Sequence, residues 1–161
     1  MLIVQDDVEL AANFAPAVKQ IAKAKPDVPV CLFLARLPRE ASVRAQRAFK
    51  HNQRFIELSY RGFLPIVAVL WPREKLLEFK AWADENPNLP GIGAHNLPRS
   101  DDAMGGRWKM LARQRIVACV PSIVQHPDME PSTIGRRQMW GKDRGRVAEL
   151  FTENAAEYDW L

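Results

Sequence analysis

The run "FLPIVAVLW", residues 63–71, constrains the fold more than any other stretch of this chain. It is the most apolar run present, and Pro72 stops it. A continuous apolar segment of strand length, bounded by a proline, suits a strand covered on both faces. It therefore predicts a central strand in a sheet with helices above and below. "VPVCLFLA" predicts a second buried strand from about Val30 to Leu34, and "RIVACV" a third. The segments between are amphipathic. "ELAANFAPAVKQIAKAK", from Glu9 to Lys25, puts Leu10, Phe14, Val18 and Ile21 at helical spacing. Lysines gather at its far end, where the helix dipole favours them. Pro16 predicts that this helix begins there or is kinked there. "REKLLEFKAWADEN" predicts a helix with Leu76, Phe79 and Trp82 on one face, and "DDAMGGRWKMLARQ" predicts another.

Strands alternating with helices predict an α/β domain with a mixed sheet and flanking helices. The smaller elements follow the same logic. Residues 1–5 predict a short buried strand and "FIELSY" a half-buried one. "LPREASVRAQRAFKHNQR" is strongly basic and reads as a short helix or an ordered loop. The proline-rich segment from Pro87 to Pro98 reads as an active-site or surface loop. "PSIVQHPDMEPSTIGRR" reads as loop, with a last short helix near Arg146–Ala156.

At 161 residues the chain suits one domain, residues 1–161, with 47% hydrophobic and 26% charged residues. The formal charge of +4 suits a phosphate-bearing ligand or nucleic acid. Cys31 and Cys119 lie inside apolar runs and read as buried free thiols, with no CxxC metal site. No apolar run reaches the roughly 18 residues of a membrane span. No signal-peptide pattern is visible, so the expected compartment is the cytoplasm.

Chemistry concentrates in three places. Asp6 and Asp7 follow the first apolar run. Carboxylates leaving a strand hold a hard divalent cation through oxygen; equally, they cap a following helix. Asp101 and Asp102 open a helix-like segment, either as N-terminal caps or with one aspartate as a general base. His126 follows a strand and a turn, with Ser122 and Gln125 alongside, and is either a metal ligand or a surface residue. "PSTIGRR" adds two hydroxyls and Arg136 and Arg137, groups that approach phosphate.

In this order the segments resemble a family. "IVQDDVEL" is similar to the strand-end acidic motif, the DXD element, of GT-A-type glycosyltransferases. "VCLFLA", "FLPIVAVLWP", "SDDAMGGRW" and "IVACVPSIVQH" then follow in that family's order. "VPSIVQHPDMEPSTIG" resembles the ending of bacterial and phage glycosyltransferase-like proteins, including the lipopolysaccharide type. The resemblance runs from Met1 to about Gly135. It implies a truncated GT-A-like core that binds a nucleotide sugar and an acceptor. Asp7 would coordinate Mn²⁺ or Mg²⁺ on the diphosphate, and Asp6 would touch the sugar or ribose, or support the metal through water. Asp101 or Asp102 would be the catalytic base, and His126 would complete the metal site. Arg136 or Arg137 would neutralise the leaving diphosphate, on charge alone.

Gln5 stands where the first acid of the motif would be, so the metal would rest on Asp6, Asp7 and His126. The family also places a nucleotide-binding βαβ half before the motif, where this chain has five residues. A homo-oligomer or a partner chain supplying the missing sheet edge is therefore expected. The alternative is a non-catalytic binding or structural protein, phage-encoded in its resemblance, that retains a degenerate core. Its basic segment would contact nucleic acid phosphates, with Phe49 or His51 stacking on a base. No zinc-finger, RRM or helix-turn-helix pattern supports sequence reading. No GxSxG elbow, P-loop or dinucleotide fingerprint is present.

Overall fold

The computed structural model describes residues 1–5, 8–35, 39–58, 67–86, 108–126 and 148–161. Its central feature is a five-stranded mixed sheet. In chain order its strands are β1 (Leu2–Val4), β3 (Val30–Cys31), β4 (Phe55–Glu57), β5 (Ala68–Leu70) and β6 (Val117–Cys119). Across the sheet they run β1-β5-β3-β6-β4. Only β3 and β6 are parallel; the other neighbours are antiparallel. A separate two-stranded sheet pairs β2 (Glu9–Leu10) with β7 (Val124–Gln125).

Period-two alternation in the buried strands sorts side chains onto two faces. Val30, Leu32, Ala68, Leu70, Val117 and Cys119 join one core cluster. Helix α1 (Phe14–Ala24) covers this cluster through Ala17 and Ile21, and residues 148–161 close it with Ala148, Ala155 and Trp160. Cys31, Val69, Ala118 and Ile56 join the other cluster. There α2 (Arg39–Lys50) contributes Ala41, Ala45 and Ala48, and α3 (Arg73–Glu85) contributes Leu76, Phe79 and Trp82. Trp71, Phe79 and Trp108 interlock, with ring centroids 5.3–5.6 Å apart. The expected mixed sheet with helices on both faces is thus observed. The central run holds too: β5 lies between β1 and β3, and its three residues are buried.

The two thiols are free and buried. They fall in opposite core clusters, Cys31 in one and Cys119 in the other. Burial pushes the Cys119 thiol up to about 12 and raises that of Cys31 further.

Several expectations are corrected. Among the described residues, β1 lies at the sheet's edge and is not buried: Leu2 is 37% and Ile3 38% exposed. The first helix starts at Phe14, and Glu9 and Leu10 belong to β2. Asn13 precedes the helix with φ 58°, a left-handed conformation that asparagine tolerates better than most residues. Pro16 is the third helical residue, where an amide has no intrahelical acceptor to lose, so it causes no break. "PSIVQH" is not all loop, because Val124 and Gln125 pair with β2. Near the chain's end the helix is only a 3-10 turn, Ala155–Glu157. Residues 148–154 instead follow an irregular path of bends and isolated bridges against the core, with Ser122 N–H donating to Leu150 C=O at 2.6 Å and Thr152 N–H to Ser122 C=O at 3.0 Å. The basic segment settles as the helix α2.

Candidate functional site

The site candidate builds from β1 outward. Gln5 N–H donates to Val67 C=O at 2.9 Å, which carries the β1–β5 ladder to the last residue before the acidic pair. The chain is described again at Val8 and enters β2 at once. β2 pairs antiparallel with β7, with Glu9 opposite Gln125 and Leu10 opposite Val124. Continuing that register by one residue sets Val8 opposite His126. The C-terminal flank of the Asp6–Asp7 segment and His126, 118 positions from Val8 in sequence, thus meet at one corner of the fold.

A second observation bears on why two acids stand there. Helix capping requires an acid beside the first helical turn. Helix α1 begins at Phe14 with Asn13 as its N-cap, and a strand intervenes between it and residues 6–7. The N-cap position of α1 belongs to Asn13, well after Asp6 and Asp7 in sequence.

Gln125, which the sequence offered only as a neighbour of His126, holds the corner together. Its side-chain Oε1 accepts from Ala148 N–H at 2.7 Å and from His126 N–H at 3.1 Å. One carboxamide thus fixes the backbone at His126 and at Ala148, the start of the segment 148–161 that closes one core cluster. Ser122 acts similarly one turn earlier. It is buried, and its Oγ accepts from Leu34 N–H at 3.0 Å, so it ties β3 to the β6–β7 connection rather than facing a ligand. Its signal in sequence was indistinguishable from that of a reactive hydroxyl.

The remaining expected residues stand as follows. His126 is half-buried at the corner. Asp6, Asp7, Asp101, Asp102, Arg136 and Arg137 lie outside the described residues, as does the segment from Pro87 to Pro98. Among the described residues no group of three or more His, Cys, Asp or Glu side chains is arranged to hold a metal ion. Also among them, no helix is long and apolar enough to cross a membrane.

A cleft of about 260 Å³ lies at the other edge of the sheet, between α2 and β4. Arg44, Arg47, Gln53, Phe55 and Glu57 line it. Glu57 accepts from Arg115 Nε at 3.1 Å. Nearby, Lys109 Nζ donates to Gln114 C=O at 3.0 Å, and partial burial lowers its pKa from the usual lysine value.

No protein-family model, no curated protein and no solved structure matches the chain.

Proposed function

We propose that the chain is a glycosyltransferase-like protein of GT-A type. In this reading it transfers a sugar from a nucleotide sugar to an acceptor hydroxyl with the help of Mn²⁺ or Mg²⁺. The observation that supports it most is the β2–β7 register, which brings the flank of the acidic pair to His126. The start of α1 at Phe14 adds to it by removing capping of that helix as the reason for the two acids.

The donor set fits the metal. Carboxylates on Asp6 and Asp7 and an imidazole on His126 offer oxygen and nitrogen, which Mn²⁺ accepts readily and Mg²⁺ accepts chiefly through the carboxylates. The thiols are buried in the sheet away from solvent. When bound, the cation would supply positive charge against the diphosphate. Asp101 or Asp102 would take the proton of the acceptor hydroxyl as its oxygen bonds to the anomeric carbon and the bond to the diphosphate breaks. Arg136 or Arg137 would pair with the charge left on the departing nucleoside diphosphate. Gln125 would keep the backbone at His126 in place while this happens.

The same reading seats a further strand on the outer edge of β1, from a second copy of the chain or from a partner chain. Met1 and Gln5 hydrogen-bond inward to β5 and its flanks, so alternation turns the backbone groups of Leu2 and Val4 outward. Among the described residues, no strand pairs with that edge.

Calorimetric titration with UDP-, GDP- and CMP-sugars, with and without Mn²⁺, tests the proposal. Binding of one donor only in the presence of Mn²⁺ is expected. A folded protein that binds none of them under either condition would overturn a working donor site.

A further inference from the structure

We infer that the basic face of α2, with the cleft it forms against β4, binds single-stranded nucleic acid without regard to sequence. Charge distribution is the first ground. Residues 39–54 contain five Arg or Lys and one Glu, so the other 18 cations and 18 anions of the chain balance. The whole formal charge of +4 therefore resides in one helix and the turn after it.

That charge is available. Arg44, Arg47 and Lys50 are exposed, and among the described residues none of them forms an ion pair. They recur every third residue along the exposed side of α2, with Arg44 and Arg47 in the cleft lining, while Ala41, Ala45 and Ala48 lie against the sheet. Gln53 extends the row into the cleft as a neutral hydrogen-bonding group. Glu57 is the acid in the cleft lining, and Arg115 neutralises it from the side.

Aromatic rings adjoin this basic segment, the second ground, with Phe55 in the cleft lining. Phe49 is 38% exposed, and its ring lies 6.2 Å from that of Tyr158. The Arg54 guanidinium sits 5.0 Å above Tyr158, and Lys25 Nζ 4.7 Å above Phe55. A groove of cations for the backbone, bordered by rings on which bases stack, is the arrangement that holds single strands. A duplex hides its base faces and would use only the charge.

Fluorescence anisotropy of a labelled oligothymidylate of about 20 nucleotides, titrated with the full chain, reads the binding. Arg44→Ala/Arg47→Ala/Lys50→Ala should weaken it at least about tenfold. It should also reduce the slope of log affinity against log salt by about 2, because each single-strand phosphate contact contributes about 0.7. Lys19→Ala/Lys23→Ala, on the exposed side of α1, should change affinity less than about twofold. Phe49→Ala should weaken binding about tenfold with the salt slope unchanged. Circular dichroism checks that each variant folds. Three results would each overturn the inference: no binding by the wild type at low salt, equal losses in the α1 and α2 variants, or a duplex bound as tightly as the single strand with Phe49→Ala silent. The last would leave only a general polyanion surface.

Discussion

The two edges of the five-stranded sheet are built differently. At the β4 edge, α2 lies close because three alanines face the strand, and Ile56 is only 7% exposed. Its outer side carries charge: Arg44, Arg47, Arg54, Glu57 and Arg115. At the β1 edge, Met1, Leu2 and Ile3 stand exposed, and β1 itself carries no charged side chain. Natural sheets guard open edges with charge, because a bare apolar edge invites another chain. By that standard the β4 edge is guarded, and among the described residues the β1 edge is not. β1 is the strand that immediately precedes the acidic pair in sequence, whereas the cationic cleft belongs to the guarded edge.

The largest effects come from removing the same side chain at each edge. Ile56→Ala should cost about 2–5 kcal/mol in urea denaturation, as expected for a buried isoleucine. Ile3→Ala should cost less than about 1 kcal/mol, because a side chain already 38% exposed gains little from folding. Equal costs would mean that the Ile3 side chain packs as tightly as that of Ile56 and would erase the contrast.

Between the edges lie the two thiols, whose burial favours the neutral form. Their folded pKa values lie above the ordinary thiol value of 9.0, so the folded protein holds these protons more tightly than the unfolded chain. Stability from this source is full below about 9 and falls as pH rises toward about 12. Urea midpoints measured across that range should decline, and Cys31→Ala/Cys119→Ala should flatten the decline. An identical decline in that variant would assign it to other groups.

A charge placed on the bare edge should act on association. Ile3→Lys should change the stability of the monomer by less than about 0.5 kcal/mol while lowering self-association in sedimentation equilibrium. A lysine introduced at the guarded edge, Glu57→Lys, should leave association unchanged. The smallest effect is expected from the exposed Arg115–Glu57 pair, with a coupling of about 0.2–1 kcal/mol in a double-mutant cycle that fades with salt.

Much of the layering was legible in the sequence, because unbroken apolar runs such as "VCL", "AVL" and "VAC" report strands covered on both faces. Helix α3 was legible for the same reason: Leu76, Phe79 and Trp82 recur at helical spacing and pack where that spacing points. Edge position was not legible. "LIV" carries the composition of a buried strand, and only its neighbours in space make it an edge. The start of α1 was hidden because Leu10 extends the helical spacing by coincidence while pairing as a strand with Val124. Helix α2 was ambiguous because its buried face is made of alanines at 41, 45 and 48, which register weakly as apolar. At the site, His126 was singled out by its context, but its nearness to the acidic flank depends on a two-residue pairing that no local pattern announces. Gln125 was missed as an anchor, since a carboxamide that organises backbone looks in sequence like any surface glutamine.

Mn²⁺ binding is the most direct test of the acidic corner, read by the loss of the free-ion paramagnetic resonance signal as metal is added. The wild type should bind, Asp7→Asn should abolish binding with its circular dichroism unchanged, and His126→Gln should weaken it by about tenfold or more. Unchanged affinity in folded Asp7→Asn would contradict a metal site at the end of β1.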